Sequence, residues 1–353
     1  MHMADALISP AVGGTMWAAS TGLAAYSARK LRSEIPEGKI PLMAVSGAFV
    51  FAAQMINFSI PGTGSSGHLG GGLILAVLLG PHAAFLVMFS VLAVQALFFG
   101  DGGLLALGCN VFNLGFWTCF VAYPLLFRRV VGDKPAGARL TVAALLAAVL
   151  GLQLGAFSVV LETLLSGITE LPFGKFVLLM QPIHLAIGIV EGIVTAALVA
   201  FVWRARPEVL GFTAGTGVRL GVKPVLVTLG IAAVVVGGLL SRFASSHPDG
   251  LEWSIFRAAG TEELEARSAV HQSLAEVQKR TAFLPDYGFA EPEAEPESGM
   301  TQTDSPAKAE EKSKPWPAVS AGTSVAGLVG SALVLGLAGL VGLAVNVGRR
   351  RKS

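Results

Sequence analysis

Long apolar runs separated by short polar breaks occupy most of the chain. They fall at about Pro10–Leu31, Pro41–Phe58, Leu69–Leu79, Pro81–Phe99, Leu104–Phe127, Leu140–Leu165, Val177–Trp203, Val225–Leu240 and Ala318–Val347. A bilayer-spanning helix needs roughly 20 apolar residues, and most of these runs approach or exceed that length. Leu69–Leu79 is too short to span alone. Gly80-Pro81 separates it from the next run, because proline cannot donate the helix hydrogen bond. It is expected to form a short or tilted helix inside the bundle, where irregular backbone is shielded from lipid. Counted as a crossing, it completes an all-α integral membrane protein: a seven-helix bundle followed by a two-helix C-terminal module.

Composition agrees with the lipid reading. The chain is 53% hydrophobic and 14% charged, with 43 glycines and a mean hydropathy of +0.67, whereas soluble domains are about a quarter charged. The net charge of +2 gives no reason to invoke nucleic acid. Cys109 and Cys119 lie in an apolar run without metal-binding spacing and read as buried small hydrophobes.

Charge orients the bundle. Arg29, Lys30, Arg32 and Lys39 follow the first run, and Arg128, Arg129, Lys134 and Arg139 the fifth. Arg204, Arg206, Arg219 and Lys223 follow the seventh, and Arg349–Lys352 end the chain. The breaks 57–67 and 100–103 carry neither Lys nor Arg. The positive-inside rule then expects the N-terminus outside and the C-terminus in the cytoplasm. Residues 1–206 form the first module, 207–222 a cytoplasmic linker and 223–353 the two-span module, with an external loop over 242–317. Within that loop Pro248–Phe289 has enough aromatics (Trp253, Phe256, Phe283, Tyr287) to fold or dock. The acidic run Glu291, Glu293, Glu295 and Glu297 and the polar stretch Gly299–Lys314 read as a tether.

The chemistry concentrates at the outer end. No Lys or Arg precedes Arg29, so no secretory leader is read and Met1 is expected to begin the mature chain. An amine and the adjacent His2 amide nitrogen close a five-membered ring on a metal, and the amide with His2 Nδ1 a six-membered one. One planar position remains for His68, which lies in the glycine-rich break Pro61–Gly72. Planar nitrogen donors suit Ni(II) or Cu(II) rather than oxygen-seeking ions. The competing reading makes His2 an ordinary residue beside the start. Asn57, Asn110 and Asn113 are candidates to support the ligands. Gln54, Gln95, Asp101, Glu162, His184 and Glu191 are further polar groups in or beside apolar runs. His184 and Glu191, two turns apart, leave open a proton-coupled carrier; interhelical hydrogen bonding is the duller role. Gly62, Gly64 and Gly67 match GxGxxG only formally, since no βαβ unit surrounds them, and no phosphate-binding P-loop occurs. Small residues recur at Gly14, Ala18 and Gly22, and at Ala44, Ala48 and Ala52, as surfaces for close helix approach.

The stretches Met1–Ala6, Gln54–His68, Leu78–Pro81 and Gln95–Asn113 resemble the substrate-binding membrane component of nickel and cobalt energy-coupling-factor (ECF) ABC transporters, the CbiM/NikM family. The likeness covers about residues 1–206. Pro248-Asp-Gly-Leu-Glu252 resembles the PDGLE motif of the family's small NikN/CbiN-like accessory subunit, so the chain looks like a fusion of the two. Ala4 and Ala6 stand where members commonly have Pro and Gly. The resemblance implies a non-enzymatic uptake subunit in the prokaryotic cytoplasmic membrane, with Ni(II) or Co(II) as cargo and no cofactor. It implies a site of the Met1 amine, His2 and His68. It also implies a CbiQ/NikQ-like coupling subunit, reached through the small-residue stripes, and CbiO/NikO-like subunits that hydrolyse ATP. Besides the proton-coupled carrier, the other alternative is a non-transporting metal sensor or assembly protein.

Overall fold

The computed structural model describes residues 1–34, 39–132, 136–205, 210, 222–260, 268–289 and 321–350. Most of the expected linker, the acidic run and the polar tether lie outside these residues. The first module contains α1 (Pro10–Glu34), α2 (Lys39–Gln54), a hairpin of β1 (Phe58–Ile60) and β2 (Ser65–Gly67), α3 (Gly72–Leu79) and α4 (Pro81–Val94). A rod follows, made of α5 (Leu107–Val111), a π-helical stretch Phe112–Phe127 and α6 (Arg128–Val131); α7 (Gly137–Ser166) and α8 (Phe173–Ala205) complete the module. The second module has α9 (Val222–Gly238), two outer helices, α10 (Gly250–Ala259) and α11 (Ala269–Thr281), and α12 (Ala321–Arg350).

Among the described residues, five helical segments are long and apolar enough to cross a bilayer: Pro81–Phe99, Leu107–Val131, Gly137–Ser166, Phe173–Ala205 and Ala321–Val347. The apolar helices Lys39–Gln54 and Lys223–Gly238 are shorter. α3 is shorter again: its 8 residues rise only about 12 Å at 1.5 Å each. All of them are buried, so α3 is a plug within the bundle. Gly80 breaks it from α4 with φ of +76°, a left-handed value that a side chain would strain, and Pro81 then supplies the first turn of α4. Outward faces remain apolar: Leu165, Leu178 and Leu340 are exposed, as lipid-facing residues are.

The two modules pack through small residues. α9 and α12 cross so closely at Gly237 and Gly327 that a Cβ on Gly327 would overlap the Gly237 carbonyl. Gly330 lies over the Phe51 ring, and Ser331 Oγ donates to the Ala48 carbonyl at 3.3 Å. The Ala44–Ala48–Ala52 stripe on α2 therefore meets the chain's own second module, which corrects the expectation that it faces a coupling subunit. The reason is steric: small residues on both sides let α9 and α12 approach α2, with Gly237 near Ala52 and Gly339 near Ala44. The Gly14–Ala18–Gly22 stripe on α1 stays exposed, with open space beyond both glycines.

Candidate metal centre

Three segments position the site at the N-terminal end of the bundle. The first is the N-terminus, threaded inward as extended chain. Met3 is fully buried, so its peptide groups need partners. Asn110 supplies both, accepting from the Met3 N–H at 2.8 Å and donating to its carbonyl at 3.2 Å. The same carbonyl accepts from the Gly103 N–H at 2.9 Å, and Asp5 accepts from the Ala106 N–H at 2.9 Å. Ala4 has φ of −78° before the single turn Asp5–Leu7. That value suits proline, so alanine takes up the same turn.

The second segment is the hairpin and the glycine-rich stretch after it. Gly70 is held at both polar groups: its N–H donates to Glu191 at 2.7 Å, and its carbonyl accepts from Gln54 at 2.9 Å. Gln95 in turn donates to Gln54 at 3.0 Å. Glu191 therefore clamps the His68 loop, and its recorded partner is Gly70, not His184. Glu162 accepts from Asn113 at 2.7 Å, and Asn113 also approaches the Met3 sulfur at 3.7 Å.

The third segment is the Pro-Asp-Gly-Leu-Glu motif, and each of its residues has a task. The Pro248 carbonyl accepts from the Ser66 N–H at 2.8 Å, adding a parallel bridge to the hairpin. Asp249 caps α10, accepting from the Leu251 and Glu252 N–H groups at 2.8 Å each. Glu252 returns the bond to the Asp249 N–H, completing a capping box. Gly250 fits against Ile183, where a Cβ would overlap, and Leu251 is buried.

These segments bring Met1, His2 and His68 together. The His2 and His68 rings stack in parallel, with centroids 4.9 Å apart. The His68 Nδ1 lies 3.0 Å from the Leu69 carbonyl. A carbonyl only accepts, so Nδ1 carries the hydrogen and Nε2 keeps its lone pair. Burial and the nearby Met1 ammonium push the His68 pKa down to about 3, which keeps the ring neutral and able to ligate. The Met1 amine pairs with Asp249 at 3.2 Å, and His2 Nδ1 lies 3.0 Å from Asp101. Burial would raise Asp101, but His2 and a hydrogen bond from Tyr287 hold it at about 2. Asp249 is likewise held well below the usual carboxylate range, chiefly by the ammonium acting against burial. Of the three asparagines, Asn110 and Asn113 reach Met3. Asn57 instead ties the modules together, its carbonyl accepting from the Ser245 N–H at 2.7 Å.

The outer helices close over this end. His271 Nε2 donates to the Ile8 carbonyl at 2.8 Å, and Gln278 donates to the Ala96 and Gly102 carbonyls at 2.9 and 2.7 Å. No group of three or more His, Cys, Asp or Glu side chains is arranged to hold a metal among the described residues. A terminal chelate would take two of its four donors from the amine and a peptide nitrogen. The roles of Asp101 and Asp249 were not assigned from sequence. Asp249-x-x-Glu252 ahead of an apolar stretch is a capping-box pattern, and Asp101 sits in a break without a basic residue, so both carried a readable signal.

Comparison with known proteins identifies the family. The family described as "Cobalt uptake substrate-specific transmembrane region" (CbiM) matches residues 2–209, and the PDGLE domain matches residues 223–347. A relative from Archaeoglobus fulgidus, provisionally named a fused nickel transport protein NikMN, is 31% identical over 96% of both chains. The fused nickel transport protein NikMN of Rhodobacter capsulatus is 35% identical, over 60% of this chain and 64% of its own. A crystal structure of a truncated transition metal transporter superposes with a TM-score of 0.51 at 31% identity, covering 57% of this chain and 98% of that one. The protein is thus a multi-pass membrane protein of the CbiM family of nickel and cobalt transport proteins, carrying a PDGLE domain fused behind its substrate-specific region.

Proposed function

We propose that this chain captures Ni(II) at the outer face of the cytoplasmic membrane and passes it inward as the substrate subunit of an ECF transporter. Its ligands are the Met1 amine, the His2 amide nitrogen and Nδ1, and His68 Nε2. The observation that carries this reading is the convergence of Met1, His2 and His68 under one hairpin, with the His68 lone pair left free of the Leu69 carbonyl. Closing the chelate turns His2 Nδ1 away from Asp101 and offers it the Nε2 hydrogen instead, since Nε2 is buried with no partner. A carboxylate on the far nitrogen of a metal-bound imidazole fixes the ring and strengthens the ligand. The planar nitrogen set and the likeness to fused nickel transport proteins support Ni(II) over Co(II) as the cargo.

In this reading the first module is residues 1–206, the linker 207–222 and the accessory module 223–353, with the N-terminus outside and the stretch 68–79, extended chain followed by the α3 plug, counted as one of seven crossings. A coupling subunit meets the exposed α1 stripe, and separate subunits hydrolyse ATP. The two residues of the alternative proton pair make separate contacts, Glu191 Oε2 accepting from the Gly70 N–H and His184 Nδ1 lying on the Met180 carbonyl. The test is calorimetric Ni(II) titration of the purified chain beside cellular uptake. Adding one residue before Met1, or making His68→Ala, should weaken binding at least a hundredfold and stop uptake; tight binding in both variants refutes the chelate.

A further inference from the structure

One donor near this site is used neither by the chelate nor by the packing. His184 on α8 is 1% exposed. Its Nδ1 lies 2.7 Å from the Met180 carbonyl, so that nitrogen carries the hydrogen and Nε2 holds a lone pair. This Nε2 is buried without a hydrogen-bond partner. Leaving a buried polar atom unpaired costs stability, and native proteins do so rarely. The ring lines a small cavity together with Met1, His68, Asp249 and Gly250. Gly250 lies against this ring, a Cβ there being 3.5 Å from His184 Cε1, an ordinary contact distance. The cavity thus joins the Met1 and His68 end of the chelate to a third imidazole on a spanning helix.

We propose that His184 Nε2 is a further ligand for the divalent transition-metal cargo, the donor that enters as the terminal chelate releases it. The inference rests on the chelate reading above. Planar four-coordinate d8 ions exchange ligands by adding a fifth donor before losing one of the first four. A tight chelate with no entering ligand nearby would therefore release its ion slowly. In the step assigned here, the Nε2 lone pair forms a bond to the metal as the metal–amine bond breaks, and the metal–amide bond breaks after it. The metal keeps its oxidation state, and the freed amine and amide nitrogens each take one proton from solvent. The ammonium then returns to Asp249, the partner it has in this structure.

The experiment loads the purified full chain with Ni(II) and follows its transfer to excess EDTA. His184→Phe keeps the ring volume and removes the donor; it should slow transfer at least tenfold while the calorimetric affinity stays within threefold. A structural defect would loosen the site and speed release, so the sign separates the two roles. In His184→Ala, millimolar imidazole should restore the rate by a larger factor than it changes the wild type, which also serves if the Phe variant folds poorly. An unchanged or faster transfer in His184→Phe, or no rescue in His184→Ala, overturns the proposal. Failure of the chelate reading shows separately, as Ni(II) binding that survives extension of the N-terminus.

Discussion

Asp249→Asn isolates the ion pair that ties the accessory motif to the N-terminus. The two groups lie 3.2 Å apart, at 3% and 18% side-chain exposure. At an effective dielectric near 20 the Coulomb attraction is about 5 kcal/mol. Much of it is offset by the cost of taking both charges out of water. Hydrogen bonds to charged groups retain a net of about 1.5–3 kcal/mol, so the pair should contribute about 2 kcal/mol. Asparagine is as good an N-cap as aspartate, so it preserves the bonds to Leu251 and Glu252. Docking of the motif on the hairpin should then open about 30 times more often, at 1.4 kcal/mol per tenfold. Hydrogen exchange of the metal-free protein reads this at Ser66, whose N–H is held by the Pro248 carbonyl, and in residues 1–9. Asp249→Ala also removes the cap, worth about 1 kcal/mol more, and should raise opening by roughly another five- to tenfold. A change below threefold in Asp249→Asn would show that the pair contributes nothing and that hairpin bridging alone holds the motif.

Other perturbations read the remaining supports. Asn110→Leu orphans the buried N–H of Met3 at about 1–3 kcal/mol, while the Met3 carbonyl keeps its bond from the Gly103 N–H, and calorimetry should show Ni(II) affinity falling about tenfold. Glu191→Gln keeps an acceptor for the Gly70 N–H and should leave nickel uptake within threefold, whereas a carrier that moves protons through Glu191 would stop. Gly327→Leu forces apart the helices that meet at Gly237; overpacking costs about 1–3 kcal/mol, and cysteine cross-linking between α2 and α12 should drop. Lowering the pH of the metal-free protein should reduce its melting temperature. Unfolded His68 takes a proton below about 6.5 while folded His68 resists to about 3. The unfolded state then binds more protons, so this contribution is present above 6.5 and is lost as the pH falls through that window.

Hydropathy located the helices because each long crossing must cover its backbone polar groups within one apolar segment, a constraint that acts locally. Gly80-Pro81 marked the α3–α4 break for the same reason. The Met-His start was legible as candidate chemistry, since the atoms of the proposed chelate are adjacent in the chain, and His68 stood out as an imidazole in a glycine-rich break. The capping box Asp249–Glu252 was equally local. What Asp249 touches was not, because Met1 is 248 residues away and no periodicity encodes that contact.

The two small-residue stripes make the limit plain. They have the same spacing, yet Ala44–Ala48–Ala52 is covered by the second module and Gly14–Ala18–Gly22 is open. Buried polar groups show the same limit: one Glu191 oxygen holds a loop amide, and His184 presents an unpaired nitrogen to the cavity beside Met1. By itself the sequence determined the helical architecture, the donor types and the pairing of two modules, because segment length, residue chemistry and local capping are properties of neighbouring residues. Which carboxylate faces the amine, which stripe stays exposed and which imidazole nitrogens lack a partner are set by tertiary packing. Those outcomes depend on how helices distant in sequence cross, and a pattern of residue types along one chain does not contain the crossing.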